Sequence, residues 1–179
     1  MFQPITLFFT ALLVIFACPI KAEDNENDKS LVLFQTLKHI DWSTIRTQNK
    51  PLEMCSLTQN EHSAAHLVGD KQAFKSGQHL VNLHYFYQIK DLSDYIIEFS
   101  CDIYYFDNVF SQLNIRHILT TAIQKNSISI GNGDAFLLQN GTLAFIQQDE
   151  NLTLRVNMNQ ANTNSLIKNP VILALSGNP

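Results

Sequence analysis

Ser127-Ile-Ser-Ile-Gly-Asn-Gly-Asp-Ala-Phe136 opens a stretch, running on to Leu175, whose reading decides the fold. Ser127 to Ile130 has the composition of a short apolar strand. Gly131 to Phe136 has that of a glycine-punctuated loop, because glycine supplies the positive φ that a turn needs. Further on, Leu152, Leu154, Val156 and Met158 alternate with Thr153, Arg155 and Asn157, the period of a strand with one buried face. Its partner is Thr142 to Ile146, reached across the polar connection Gln147 to Asn151, and the two read as a hairpin. Asn140-Gly141, just ahead, is a turn dipeptide. Asn159 is placed to cap a closing helix carrying Ala161 and Leu166, which Asn169-Pro170 stops before the apolar tail Val171 to Leu175.

Upstream, Leu33, Phe34, Leu37 and Ile40 recur at helical spacing and define one apolar face over Lys29 to Ile40, while Asn25 to Ser30 is polar enough to fray. Trp42 follows and suits a wedge between the helix end and a sheet; stacking on a ligand is the other use of such a residue. After Pro51, Leu52 to Leu57 reads as a strand. Ala64, Ala65, Leu67 and Val68 mark a second helix within Asn60 to Gly69, with one further turn expected over Gln72 to Lys75. His79 to Tyr87 is a strand, and Gln88 to Asp94 a polar connection. Phe99 to Phe106 is the most strand-like run of all and suits a central strand covered on both faces. Phe110, Leu113, Ile115, Ile118, Leu119 and Ala122 make another helix. Strands alternating with helices at this pace predict an α/β fold: a single mixed, mostly parallel sheet flanked by helices, with a C-terminal antiparallel hairpin and closing helix.

The first 22 residues differ in kind. Leu7 to Ala17 is an apolar run too short to span a bilayer as a helix and suited to the core of a signal peptide, with Ala22 a small residue at the expected cleavage point. Residues 1–22 are therefore expected to be removed on export, leaving one domain over 23–179. Lipidation at Cys18 is a weaker alternative, since the bulky Phe16 suits a lipoprotein cleavage box poorly. The chain carries 12 basic and 16 acidic residues; without Lys21 the balance is 11 against 16, or 5 negative charges. No basic cluster is present, which disfavours binding to nucleic acid and a polybasic contact with a membrane.

Cys55 and Cys101 are the cysteines left after export, and both fall in predicted strands. In neighbouring strands their Cα atoms could approach to the roughly 5.5 Å that a disulfide requires, so a structural bridge is expected in an oxidising compartment. Two buried free thiols, or a redox switch, are the competing states. His62 and His66 stand one helical turn apart, but Glu61 lies outside the pair and the zinc-protease arrangement is missing. Ser30, Ser56 and Ser127 have no nucleophile-elbow glycines around them. Gly131-Asn-Gly133 lacks the lysine and hydroxyl of a phosphate loop. No catalytic residue, metal ligand or cofactor is assigned.

The order Ile128-Ser-Ile-Gly131, Gly133-Asp-Ala-Phe136, Asn140-Gly141, Arg155-Val-Asn157, then a helix and Ile172-Leu-Ala-Leu175 resembles the C-terminal half of the YfiR family, small periplasmic bacterial proteins. Leu33-Phe34, Ile40-Asp-Trp42, the strand around Cys55 and Cys101-Asp-Ile-Tyr-Tyr-Phe106 extend the likeness from about Lys29 to Leu175. The resemblance implies a regulator that represses a membrane-bound diguanylate cyclase. It matches Cys55 and Cys101 to one cysteine pair of the best-known members; the second pair, near Ile130 to Phe136, is absent here, so redox control through that pair does not carry over. The expected function is thus a non-enzymatic periplasmic protein that binds the extracytoplasmic part of a membrane diguanylate cyclase or sensor, with a homodimer allowed. The alternative is a periplasmic small-molecule-binding sensory module, whose ligand would lie beyond the carboxyl ends of parallel strands, near Ser56 to Glu61, Asp107-Asn108 and Gly131 to Phe136. Asp107, Asp134 and Phe136 are the candidate ligand or partner residues, and Tyr85, Phe86 and Tyr87 an aromatic cluster of similar promise.

Overall fold

A computed structural model describes residues 21–44, 50–69, 75–76, 78–108, 110, 112–148 and 151–163. The elements are α1 (Lys21–His39), a short 3-10 turn (Trp42–Thr44), β1 (Leu52–Leu57), α2 (Ala64–Gly69), β2 (Lys75–Ser76), β3 (His79–Phe86), α3 (Ile89–Glu98), β4 (Ile103–Phe106), α4 (Gln112–Gln124), β5 (Ile128–Asn132), α5 (Asp134–Leu138), β6 (Leu143–Gln148), β7 (Asn151–Val156) and α6 (Met158–Thr163). They form one seven-stranded sheet in the order β2-β3-β1-β4-β5-β6-β7. Strands β3, β1, β4, β5 and β6 run parallel, and β2 and β7 are added antiparallel at the two edges. The fold is therefore α/β, mixed and mostly parallel, with the hairpin at its C-terminal side.

Strand side chains alternate between two faces, which divides the core in two. Leu52 and Met54 of β1, Ile103 and Tyr105 of β4, Ile128 and Ile130 of β5, and Leu143 and Phe145 of β6 meet Leu33, Leu37, Ala64, Ala65 and Val68 from α1 and α2. Cys55, Leu57, Tyr104, Phe106, Ala144 and Ile146 face the other way, onto Leu92 and Ile96 of α3 and Ile115, Ile118, Leu119 and Ala122 of α4. All four residues of β4 are buried, as a central strand with helices on both sides requires. Trp42 closes the first layer: it is buried at the end of α1, and its Nε1 donates to the Leu37 carbonyl and to Ser76 Oγ.

Several boundaries differ from those expected. Residues 88–94 are not a connection; they open α3, whose Ile89, Leu92 and Ile96 keep a helical period among polar neighbours. Asn25 to Ser30 belongs to α1, and Lys29 and Ser30 are buried. The strand expected from Phe99 begins only at Ile103, because Phe99 caps α3 through a bond from its N–H to the Tyr95 carbonyl. Of the turn expected over Gln72 to Lys75, Lys75 is instead in β2 and 72–74 lie outside the described residues. The hairpin strands reach further toward their turn than predicted, leaving only positions 149–150 between them. Met158 starts α6 instead of ending β7, and the residue at its cap is Asn157, whose Oδ1 accepts from the Asn159 N–H at 3.2 Å. Leu166, Asn169-Pro170 and the tail Val171 to Leu175 lie outside the described residues, as does the predicted signal-peptide core.

Candidate functional site

Sheet order brings three chain segments together at one end. Strands β1, β4 and β5 are consecutive neighbours, so Thr58-Gln59 after β1, Asp107-Asn108 after β4 and Asn132-Gly133 at the end of β5 share the carboxyl edge of the parallel strands. Main-chain bonds lock this edge. Thr58 N–H donates to the Phe86 carbonyl at 2.9 Å, Asp107 N–H to Leu57 at 3.1 Å and Gly133 N–H to Phe145 at 2.9 Å. Asn132 adds a side-chain tie, its Nδ2 donating to the Phe106 carbonyl at 3.0 Å.

Asp107 works as a clasp within this edge. Its Oδ2 accepts from the Gln59 N–H at 2.9 Å, bridging the β1 and β4 loops. Burial raises the pKa of its carboxyl above the ordinary range, the Gln59 bond opposes that, and Glu26 nearby adds to the rise. Burial likewise holds the Tyr105 phenol well above its usual value, with the Asp107 carboxylate reinforcing the effect. Helix α1 reaches the same place. Glu26 Oε2 accepts from the Ala64 N–H at 3.0 Å while its Oε1 pairs with buried Lys29 at 2.7 Å.

Past β5 the expected loop is a strand end and a short helix. Gly133, at φ 78°, makes the corner that only glycine takes without strain, and α5 begins at the next residue. Phe136 is 2% exposed. A Cβ on Gly131 would stand 2.5 to 2.8 Å from three of its ring atoms, and Gly141 is similarly pressed against the ring. Phe136 is thus a packing residue held between two glycines and is closed to any ligand or partner. Asp134 is exposed and its Oδ1 accepts from Arg155 Nη1 at 2.6 Å, tying α5 to β7.

Between α1 and this edge lies a cavity of about 350 Å³, with Asn25, Lys29, Asn132, Phe145, Ile146 and Leu152 in its wall. Asn25, Lys29 and Glu26 escaped the sequence reading because they are polar positions of a face read only from its apolar members. The spacing was present: Glu26, Ser30, Leu33, Leu37 and Ile40 recur at alternating fours and threes.

The two cysteines are bonded to each other, with Cα atoms 5.8 Å apart and a sequence separation of 46. Cys101 stands just ahead of β4, not within it, and both residues are buried in the layer under α3 and α4. Ser127 Oγ donates to the Cys101 carbonyl at 2.7 Å, and Ser30 Oγ to the Asn27 carbonyl at 2.8 Å. His66 stacks on Tyr85 with ring centroids 3.8 Å apart, its Nδ1 against Ser63 Oγ and its Nε2 against Tyr87 OH. His62 stands apart from it in an exposed turn. Phe86 turns to the opposite face and packs on Tyr95. Among the described residues no three His, Cys, Asp or Glu side chains converge as a metal would need.

The sequence profile of the YfiR/HmsC-like family matches residues 27–176. The chain belongs to that family. The match takes in both cysteines, the carboxyl-edge loops and the hairpin. No curated protein sequence matches the chain. Among solved structures, a conserved domain protein from Vibrio cholerae O1 biovar El Tor is similar, at 14% identity over 79% of this chain and 59% of its own, with a TM-score of 0.50. A ureidoglycine-glyoxylate aminotransferase from Bacillus subtilis follows at 9% identity, 83% and 48% coverage, and a TM-score of 0.47. The chain spans 59% and 48% of the length of these two, and the first likeness speaks to the fold alone. No helix among the described residues is long and apolar enough to cross a membrane.

Proposed function

We propose that this protein is an exported, non-catalytic regulator that binds the extracytoplasmic part of a membrane diguanylate cyclase or sensor and holds it inactive. Membership of the YfiR/HmsC-like family across residues 27–176 is the observation that carries the reading. The disulfide agrees with an oxidising compartment outside the cytoplasm, and the apolar segment Leu7 to Ala17 with removal of residues 1–22 during export. Of the residues expected at the contact, Asp134 keeps an exposed carboxylate for it, and Asp107 acts from behind by fixing the loops. Phe136 plays no part, being enclosed. A homodimer remains part of the proposal.

The test is genetic and chemical together. Deleting the coding sequence should raise cellular cyclic di-GMP, and restoring the intact chain should lower it again, with the protein recovered from the periplasm at a mass lacking residues 1–22. Cyclic di-GMP that is unchanged in both directions overturns the reading.

A further inference from the structure

The cavity at the carboxyl edge has a wall of unusual chemistry. Four carboxamides line it, Asn25 from α1, Asn108 after β4, Asn132 from β5 and Gln147 from β6, together with the apolar residues Phe145, Ile146 and Leu152. The charged residues of the wall are already neutralised within the protein. Lys29 pairs with Glu26 at 2.7 Å, and Asp134 with Arg155 at 2.6 Å. A phosphate or carboxylate entering here would find, among the described residues of the wall, no cation in want of a partner. By contrast the Oδ1 atoms of Asn25 and Asn132 are buried and have no hydrogen-bond partner among the described residues. Asn132 is oriented by its own Nδ2, which is committed to the Phe106 carbonyl. A buried acceptor without a donor is costly, and a donor reaching it would relieve that cost.

We infer that this cavity binds an uncharged polyhydroxylated molecule of monosaccharide size. A carboxamide both donates and accepts, and so does a hydroxyl, so a set of carboxamides can satisfy a ring of hydroxyls in either sense. A pyranose also has a face of C–H groups, which the half-buried Leu152 would cover. The volume of about 350 Å³ lies within the range of small-ligand sites, and the carboxyl edge is where sheets of this class hold ligands. This site is independent of the proposed partner: it stands or falls on ligand binding by the isolated protein.

Saturation-transfer NMR on the purified protein, with glucose, galactose and N-acetylglucosamine as separate probes, tests it. At least one sugar should receive saturation at millimolar concentration. Asn108→Leu and Gln147→Leu alter exposed positions and leave the core intact. Each should weaken binding about tenfold, the size of one lost uncharged hydrogen bond, with unchanged Tm in the absence of sugar. Absence of transfer from all three sugars, binding undiminished in both variants, or equal binding of inorganic phosphate overturns the inference.

Discussion

Asp107 shows how much one side chain settles at the carboxyl edge. Its carboxylate is half-buried, bridges two loops through the Gln59 N–H, and titrates above the ordinary aspartate range chiefly because burial penalises its charge. A carboxyl whose pKa is raised on folding binds its proton more tightly in the folded chain than in the unfolded one. Its contribution to stability is therefore greatest at acid pH and is lost as pH climbs from the unfolded value through the folded one. An asparagine at this position would retain an oxygen for the Gln59 N–H and carry no charge. Urea titrations of Asp107→Asn and the parent across pH 3 to 8 should show the variant gaining relative stability as pH rises, then levelling off. A constant difference across the whole range would mean that the Asp107 charge is not disfavoured by folding. Phe136 teaches the opposite lesson. A phenylalanine in a glycine-flanked segment reads as an offered aromatic, yet here the glycines are small because the ring lies on them.

At the scale of elements, the disulfide ties β1 to the segment leading into β4, two strands already paired side by side. It closes a loop of 46 positions, for which the chain-entropy relation gives about 4 kcal/mol, an upper figure because strain and residual unfolded structure subtract from it. The double replacement Cys55→Ala/Cys101→Ala should still fold, since both layers of the core remain, but should lose 2 to 4 kcal/mol in denaturant unfolding (about the range for native bridges). A loss below about 0.5 kcal/mol, within the usual scatter of surface substitutions, would show that the bridge adds nothing. Elements with dense apolar periodicity were legible in the sequence: β1, β4, α4, β5 and the hairpin. Helix α3 was not, because Lys90, Asp91, Ser93 and Asp94 outnumber the three apolar residues that carry its period. The start of α1 was hidden for a related reason. Its inward positions there are Glu26, Lys29 and Ser30, which are held by ion pairing and hydrogen bonds in place of apolar contact.

Over the whole molecule, alternation of strands and helices was enough to foretell the mostly parallel sheet, because parallel neighbours need crossovers and the sequence supplies helices between strands. It did not foretell the carboxyl-edge cavity. That feature joins residues more than a hundred positions apart, Asn25 and Asn132 among them, and no local period reports such a meeting. The same topology sets how stability is distributed. Strands β1 and β4 are bonded on both sides and covered on both faces, whereas β7 is an edge strand paired only with β6. In native-state hydrogen exchange the amides of Ile103 to Phe106 and Met54 to Leu57 should open only with global unfolding, and those of Asn151 to Val156 by cheaper local separation. The disulfide lies with the first group. In the double alanine variant, the protection of the β1 and β4 amides should therefore fall by the full loss measured in denaturant, while the β7 amides keep theirs, because a local opening of β7 leaves Cys55 and Cys101 undisturbed. Equal losses in both groups would make the hairpin part of one cooperative unit with the central strands. Unchanged protection in β1 and β4 would place the effect of the bridge elsewhere than in global unfolding.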